Sequence, residues 1–202
     1  MSDAMKKISY GLFVITTAFG GKQNGCITNT VMQVTTTPNT VTLAVNKQNY
    51  THDLIKESGV FNASIISQKA DFELFKHFGF QTGRKVDKFA NFSGFSIAKN
   101  GVNYVTKGCN AVICATVKET VDLGTHTLFI ADVTEEFDLS DDLSATYAYY
   151  FENIKPKPQE KVEKTVWRCS ICGYQEETEE LADDFTCPWC KHPKADFVKI
   201  KG

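Results

Sequence analysis

Two Cys-x-x-Cys motifs constrain the fold of this chain more than any other feature. Cys169 and Cys172 form the first motif, and Cys187 and Cys190 form the second, with residues 173–186 between them. Two such motifs can hold one tetrahedral metal ion, because the two-residue gap lets both sulfurs of a motif reach the same ion. A segment of about 40 residues rarely folds without a metal or a disulfide, since it buries too little surface. We therefore predict a metal site at these four cysteines.

The other three cysteines argue against disulfide bonds as the alternative. Cys26, Cys109 and Cys114 occur singly in apolar or β-branched surroundings, and the total of seven cysteines is odd. The first residues of the sequence show no apolar segment of the kind that secretory signals contain. We expect a reducing, cytoplasmic location, where paired motifs bind metal. The three single cysteines are interpreted as small buried hydrophobic residues.

The residues around the four cysteines distinguish between metals that accept the same ligands. Gly173-Tyr174 follows the first motif, Asp183-Asp-Phe-Thr precedes the second, and Pro188-Trp189 lies inside it. This pattern, over residues 167–200, resembles rubredoxin and implies one iron bound by four thiolates. A zinc ribbon is the alternative, because zinc also accepts four thiolates and the loop between the motifs is shorter than in most free-standing rubredoxins.

Composition limits the number of domains and the classes of partner. The chain has 202 residues, 42% of them hydrophobic, and a formal net charge of −2. These values allow one ordinary domain and one small domain, and the absence of a basic stripe argues against nucleic acid as a partner. The apolar runs are too short to span a membrane. A charged segment with two Lys-Pro steps predicts a linker at 154–165, between domains at 1–153 and 166–202.

The first 150 residues have the pattern of a mainly β protein with inserted short helices. Runs rich in Val, Ile, Thr and Phe predict strands, and Gly20-Gly21 and Asn24-Gly25 predict a hairpin between the first two. The predicted strands are residues 11–17, 26–37, 41–45, 60–67, 101–106, 111–117 and 126–133, and the predicted helices are 51–58, 67–78 and 85–91. Many strands with few helices favour a barrel or a sandwich.

One junction in this domain has the properties of a phosphate site. The strand at 41–45 leads through Asn46-Lys-Gln-Asn-Tyr-Thr51 into a helix, for which Asn49 or Thr51 supplies the N-cap. Free N–H groups, hydroxyls and a lysine at a helix N-terminus suit a phosphate group. An ordinary capped surface helix is the alternative interpretation.

Several motifs in the same order resemble the flavin reductase-like family of FMN-binding split barrels. The matching segments are Ser9-Tyr-Gly-Leu-Phe-Val-Ile-Thr-Thr17, Asn24-Gly-Cys-Ile-Thr-Asn-Thr30, Val31-Met-Gln-Val-Thr35, Asn46-Lys-Gln-Asn-Tyr-Thr-His-Asp53, Phe78-Gly-Phe-Gln-Thr-Gly-Arg84 and Asp87-Lys-Phe89. Gly124-Thr-His126 is similar to the Gly-Asp-His motif of the family, with threonine in the middle position. The resemblance covers residues 6–153 and implies an FMN-binding split β-barrel.

The resemblance also implies which residues bind FMN. Those beside the isoalloxazine and ribityl chain would be Asn24, Thr28, Asn29, Thr30, Gln33, Val34 and Thr35. Those near the phosphate would be Asn46, Lys47, Asn49, Tyr50, Thr51, Arg84 and Lys88. His126 would lie near the nicotinamide or the flavin edge as the candidate catalytic residue. For Arg84 and Lys88 the alternative is surface solvation, and for His126 it is a structural role.

The combination of the two halves resembles the high-molecular-weight rubredoxin type of fusion. It implies an oxidoreductase that passes electrons from NADH or NADPH through FMN to the rubredoxin iron. The final recipient would be a protein acceptor such as a flavodiiron reductase of oxygen or nitric oxide, and the family implies a homodimer. Two alternatives are an NAD(P)H:flavin reductase with a structural zinc ribbon and a non-enzymatic electron carrier between two proteins.

Overall fold

A computed structural model describes residues 4–157 and 165–200 of the chain. The chain divides into two compact units, residues 1–156 and residues 157–202. Residues 158–164, which belong to the predicted linker 154–165, lie outside the described residues.

The first unit contains a seven-stranded antiparallel sheet and a separate two-stranded pair. Its strands are β1 (Phe13–Phe19), β2 (Lys22–Thr28), β3 (Met32–Thr36), β4 (Asn39–Asn46), β5 (Val60–Ile66), β6 (Phe95–Ile97), β7 (Asn103–Val105), β8 (Cys109–Asp122) and β9 (His126–Asp138). The order in the large sheet is β2-β1-β5-β8-β9-β4-β3, and β6 pairs with β7. The predicted fold class, mainly β with short inserted helices, is confirmed.

The two longer helices are capped as their sequences require. In α1 (Tyr50–Ser58), the side chain of Asn49 accepts from the backbone N–H of Thr51, and Gly59 ends the helix at φ 68°. In α2 (Phe72–Gly79), Asp71 accepts from the N–H of Leu74. The other helical segments of this unit are short: a 3₁₀ turn at Ala4–Lys7, α3 (Tyr147–Tyr149) and a π-helical turn at Tyr150–Ile154. Within the described ranges, no helix has both the length and the apolar character that crossing a membrane requires.

Side-chain alternation in β1 divides the core between two faces of the sheet. Phe13 and Ile15 belong to one buried cluster, which also contains Ile55 of α1. Leu12 and Val14 belong to the other cluster. Leu74, Phe75 and Phe78 of α2 pack in that second cluster. Because successive side chains of a strand point to opposite faces, α1 and α2 cover opposite faces of the same sheet.

Four predictions of secondary structure need correction. The predicted strand 26–37 is two strands, β2 paired with β1 and β3 paired with β4. Asn24-Gly25 lies inside β2, and Gly20-Gly21 alone forms the hairpin turn, with φ of 59° and 76°. The helix predicted at 67–78 begins only at Phe72, after its cap at Asp71. The helix predicted at 85–91 is a loop, because Asp87 accepts from the N–H of Phe89 and Lys88 turns into the core.

The second unit is a small three-stranded sheet around the cysteines. Its strands are β10 (Val166–Cys169), β11 (Gln175–Glu177) and β12 (Phe197–Ile200), in the order β11-β10-β12. Cys169, Leu181, Cys187 and Phe197 are buried, and Trp167, Tyr174 and Phe185 pack around them. So small an apolar cluster is consistent with a unit that needs a metal to stay folded.

Candidate functional site

The four cysteines of the second unit form a site for one metal ion. Their sulfur atoms all lie within 4.8 Å of one another. The Sγ atoms of Cys169 and Cys190 are 3.7 Å apart, and those of Cys172 and Cys187 are 3.5 Å apart. Sulfurs at about 2.3 Å from a tetrahedral ion would be separated by about 3.8 Å. The donor set and its spacing therefore fit a tetrahedral tetrathiolate ion.

Both cysteine motifs reach this geometry through the same backbone turn. The N–H of Gly173 donates to the carbonyl of Cys169 at 3.0 Å, and the N–H of Lys191 donates to the carbonyl of Cys187 at 2.9 Å. The turns end at positive φ, 80° at Gly173 and 63° at Lys191. Burial opposes ionisation of Cys187, but backbone N–H groups of Cys190 and Trp189 bring its pKa to about 6. The N–H groups of the second turn thus favour the thiolate of Cys187.

In the first unit, a cleft of about 320 Å³ lies at the N-terminus of α1. Its walls come from β2, from the loop between β4 and α1, and from α2 with the loop that follows it. The lining residues are Cys26, Ile27, Asn46, Gln48, Asn49, Tyr50, Phe78, Gly79, Gln81, Thr82 and Lys88. Four of the predicted cofactor ligands therefore line the same cleft: Asn46, Asn49, Tyr50 and Lys88.

Lys88 is the residue of this cleft that most strongly indicates a bound ligand. Its side chain is 2% exposed, and its Nζ donates to the carbonyls of Gly25 at 2.7 Å and Phe78 at 2.8 Å. No carboxylate of the described residues forms an ion pair with it. Burial lowers the pKa of its ammonium group, and only the Cys26 thiol acts in the opposite direction. Because buried charges are normally compensated, the cleft suits an anionic ligand.

Cys26 lines the same cleft as this lysine and the Asn49 cap of α1. Burial raises the pKa of Cys26, and hydrogen bonds with Thr51 and Asn49 and the charge of Lys88 act against that rise. Lys88 and the start of α1, Asn49 and Tyr50, therefore line one cleft. A phosphate there would meet an ammonium group and helix N–H groups together.

The other two cations predicted for the phosphate are already paired with carboxylates. Lys47 donates to Asp122 at 2.6 Å. Arg84 donates to Asp53 at 2.6 Å, and its guanidinium carbon lies 5.1 Å from the centre of the Tyr50 ring. Their charges are thus compensated within the protein, unlike that of Lys88.

Asn24 and Thr51 lie behind the wall of the cleft. The Nδ2 of Asn24 donates to the Oγ1 of Thr51 at 2.9 Å, and both residues are buried. Among the residues that the structure describes, none forms a hydrogen bond with the Oδ1 of Asn24. A Cβ atom at Gly83 would overlap Asn24, so this glycine allows the loop after α2 to lie directly on the asparagine. The geometry places both side chains where they support α1 and the loop.

The predicted flavin contacts at Thr28, Asn29 and Thr30 are close to the cleft but outside it. Thr28 and Asn29 line a second, more apolar cleft of about 340 Å³, which shares Ile27 and Gly79 with the first. The hydroxyl of Thr30 lies 2.7 Å from that of Thr28 and donates to the carbonyl of Ala44 at 2.6 Å. The cleft at the helix terminus and this apolar cleft therefore adjoin at Ile27 and Gly79.

Gln33, Val34 and Thr35 are not brought to the cleft of their own protomer. They belong to the edge strand β3, whose residues are all exposed, and Gln33 pairs with Val41. Asn46 is five residues further along β4, about 17 Å away at the usual rise of a strand.

His126 lies beside the predicted phosphate loop. It is the first residue of β9 and pairs with Asn46, the last residue of β4. The N–H of Lys47 donates to the carbonyl of Thr125 at 3.0 Å, which ties the β8–β9 turn to the same loop. The Nδ1 of His126 is 2.9 Å from the hydroxyl of Thr125.

Some cleft residues were not identified from the sequence. They are Cys26, Ile27, Gln48, Phe78, Gly79, Gln81 and Thr82. All of them fall inside or directly beside the quoted motifs, so the motifs located the region but not the side chains that face it. His52 and Asp53 end the quoted motif at 46–53 but were not predicted as site residues, and the structure joins them: the Nδ1 of His52 lies 3.0 Å from Asp53.

Comparison with known proteins finds relatives for both units. Residues 5–157 match the flavin reductase like domain, and residues 167–198 match the rubrerythrin, rubredoxin-like domain. A high molecular weight rubredoxin of Moorella thermoacetica is 32% identical over 228 aligned positions, covering 98% of this chain and 99% of the relative. A ferric-chelate reductase (NAD(P)H) of Archaeoglobus fulgidus is 40% identical over 150 positions, covering 73% of this chain and 87% of the relative. The solved structure of the flavin reductase PheA2 in its native state superposes with a TM-score of 0.60 at 28% identity, covering 72% of this chain and 93% of that chain.

Proposed function

The chain belongs to the flavin reductase-like family over residues 5–157 and ends in a rubredoxin-like domain, and from this premise we propose that it is an NAD(P)H-dependent flavoprotein oxidoreductase. Electrons would pass from NADH or NADPH through FMN to one iron, and then to a protein acceptor such as a flavodiiron reductase. The observation that carries the proposal is the presence in one chain of the cleft around Lys88 and the four-cysteine site.

The residues of the first unit suit the binding and orientation of a flavin. When bound, a flavin accepts two electrons as a hydride and can release them singly, whereas an iron with four thiolates takes one electron. Lys88 and the N-terminus of α1 offer positive charge to an anionic group. Ile27 and Phe78 supply apolar walls beside that charge. His126 pairs with Asn46 across β9 and β4, at the edge of the same region.

FMN is the form of flavin that we propose. It carries one phosphate group, and the cleft around Lys88 contains one buried ammonium group whose charge the described residues leave uncompensated. Thr28 and Thr30 would act around the ring and the ribityl chain, with His126 near the flavin edge, and Arg84 would lie near the phosphate. The cofactor released by heat denaturation should co-elute with FMN, and elution with FAD would contradict this part of the proposal.

A homodimer is part of the proposal because one protomer leaves β3 exposed. Met32 and Val34 are 59% and 49% exposed on this edge strand, beside Gln33 and Thr35. A two-fold dimer would cover such an edge and allow these residues to contact the cofactor of the second copy. Sedimentation at micromolar concentration should give the mass of two chains, and a flavin-loaded monomer would contradict it.

A reductase that needs only the first unit is the second candidate function. It is favoured by the 40% identity to the ferric-chelate reductase (NAD(P)H) of Archaeoglobus fulgidus, which covers 73% of this chain. In that case the first unit would reduce a small acceptor directly, and the four-cysteine unit would bind zinc and serve structure or docking.

Metal content and rapid kinetics distinguish the two candidates. Purified protein should contain one iron per chain and show the red colour of a ferric tetrathiolate site in addition to the flavin absorbance. Stopped-flow mixing with NADH and with NADPH should then bleach the flavin first and the iron absorbance afterwards. Zinc in place of iron, or iron that stays oxidised while the flavin turns over, would support the second candidate.

A further inference from the structure

The side chain of His77 in α2 binds the backbone of Lys88, the buried cation of the cleft at the N-terminus of α1. The Nε2 of His77 lies 2.6 Å from the carbonyl oxygen of Lys88, and the two residues are 11 positions apart in the chain. A carbonyl oxygen only accepts hydrogen bonds, so this ring nitrogen is the donor and carries the proton. The bond therefore holds the backbone of Lys88 against the last turn of α2.

The other end of Lys88 is held by the residue that follows His77. The Nζ of Lys88 donates to the carbonyl of Phe78 at 2.8 Å and to that of Gly25 at 2.7 Å. Two consecutive residues of α2 thus bind the two ends of one lysine, His77 its backbone and Phe78 its ammonium group. With both ends fixed, the long side chain has few conformations left, and its charge stays at one place on the wall of the cleft.

Aromatic neighbours hold the ring of His77 in turn. The ring stacks on Phe92, with centroids 4.9 Å apart and planes at 25°, and meets the Phe78 ring at 4.8 Å in a T-shaped contact. His77 and Phe92 line a different cleft, of about 390 Å³, on the side of α2. We therefore expect His77 to act on a ligand in the cleft around Lys88 through Lys88 and not by touching the ligand.

We propose that His77 is a positioning residue for the phosphate group of the flavin: it orients Lys88, and Lys88 binds the phosphate. The inference rests on the proposed function, in which this cleft holds FMN. A lysine that is fixed beforehand binds a phosphate more tightly than a mobile one, because less conformational freedom is lost on binding. Riboflavin is the same flavin without the phosphate group. His77 should therefore contribute to the affinity for FMN and not to the affinity for riboflavin.

The test uses the full-length protein freed of flavin and compares His77→Phe with His77→Gln. Phenylalanine keeps a ring that can stack on Phe92 but has no donor, whereas glutamine keeps an N–H donor and loses the ring. Phe92→Leu is the matched control, because it removes the stacking partner and leaves the hydrogen bond to Lys88. Quenching of flavin fluorescence gives the dissociation constants of FMN and of riboflavin for each protein. The His77→Phe change is also made in a Lys88→Met background.

The His77→Phe variant should bind FMN about fivefold more weakly, the worth of one hydrogen bond, and bind riboflavin as the wild type does. His77→Gln should recover most of this loss, and Phe92→Leu should leave the ratio of the two affinities unchanged. In the Lys88→Met background, His77→Phe should have no further effect on FMN, because both changes act through the same ammonium group.

Four results would overturn the inference. They are equal losses for FMN and riboflavin in His77→Phe, a glutamine variant as weak as the phenylalanine variant, an equal change of the affinity ratio in Phe92→Leu, and an undiminished effect of His77→Phe in the Lys88→Met background. If the wild-type protein binds neither flavin, or binds FMN no more tightly than riboflavin, the proposed FMN site itself fails. If it prefers FMN and His77→Phe matches it, only this inference fails.

Discussion

Asp53 accepts a hydrogen bond from the guanidinium group of Arg84 at 2.6 Å and thereby ties the loop after α2 to the first turn of α1. The other oxygen of Asp53 lies 3.0 Å from the Nδ1 of His52, which is buried and 2.8 Å from the hydroxyl of Thr127. Burial opposes ionisation of Asp53, but His52 and Arg84 together hold its pKa below the usual value. A connected set of polar groups thus runs from β9 through the first turn of α1 to the loop after α2.

Replacing Asp53 by Asn should loosen this loop without unfolding the unit. Both partners of the ion pair are about half exposed, 43% and 51%, so the loss in stability should be no more than about 1 kcal/mol. Trypsin cleavage after Arg84 and Lys85 should become several times faster, because the loop opens more often. Asp122→Asn, which breaks the exposed pair with Lys47, is the control and should leave this cleavage unchanged. Equal cleavage rates in wild type and Asp53→Asn would contradict the assigned role.

Replacing Lys88 by Met should weaken FMN binding by about tenfold or more, the worth of one charge-assisted hydrogen bond. Lys47→Met is the matched control, because the charge of Lys47 is already compensated by Asp122. Fluorescence of released flavin measures both dissociation constants. A larger loss in the Lys47 variant than in the Lys88 variant would show that the phosphate is held elsewhere.

The burial of Lys88 also predicts two opposite effects of alkaline pH: the stability of the flavin-free protein should rise, and the affinity for FMN should fall. Burial lowers the pKa of Lys88 from its ordinary value of 10.5, so the unfolded chain binds more protons between the lowered and the ordinary value. The contribution of Lys88 to the stability of the flavin-free protein should therefore rise with pH through that window. FMN affinity should fall over the same range, because the neutral amine no longer attracts an anion. Denaturant titrations and flavin binding, each compared with Lys88→Met, measure the two trends, and parallel curves for wild type and variant would contradict them.

Gly83→Ala should displace the loop after α2, because the new Cβ would overlap the side chain of Asn24. The melting temperature should fall by several degrees and FMN should be retained less well. The double variant Gly83→Ala/Asn24→Ala should recover part of this loss, since it removes the asparagine side chain that the new Cβ would overlap. Calorimetry of the three proteins gives the coupling, and additive losses in the double variant would show that the two residues do not interact in this way.

Replacing Cys169 by Ala should remove the metal and unfold the second unit. The buried apolar cluster of this unit is too small to keep the unit folded without a metal. The first unit should retain flavin and its reduction by the nicotinamide, since its core is separate. Metal analysis and thermal melts followed at the flavin test this, with Cys109→Ala as a control for an unrelated cysteine. Electron delivery to a protein acceptor should stop, and delivery at the wild-type rate would place the metal outside the path.

The sequence determined the features of this protein that depend on local spacing. Two-residue gaps between cysteines lead to backbone turns at Gly173 and Lys191, and these turns bring four sulfurs together. Caps at Asn49 and Asp71 set the starts of α1 and α2, although the second helix is shorter than its apolar pattern suggests. Strand propensity likewise identified the first unit as mainly β, because the side chains of a strand alternate between two faces and this alternation can be read from neighbouring residues.

Only the tertiary structure decided which of the predicted polar residues are free to meet a ligand. The sequence predicted Lys47, Arg84 and Lys88 alike as cations near the phosphate. In the structure, Asp122 neutralises Lys47 and Asp53 neutralises Arg84. Lys88 instead enters the core between Gly25 and Phe78, 63 and 10 residues away along the chain. The same holds for Gln33, which the register of β3 against β4 carries away from Asn46. Charge compensation and strand register depend on contacts between distant parts of the chain, and local sequence patterns do not encode such contacts.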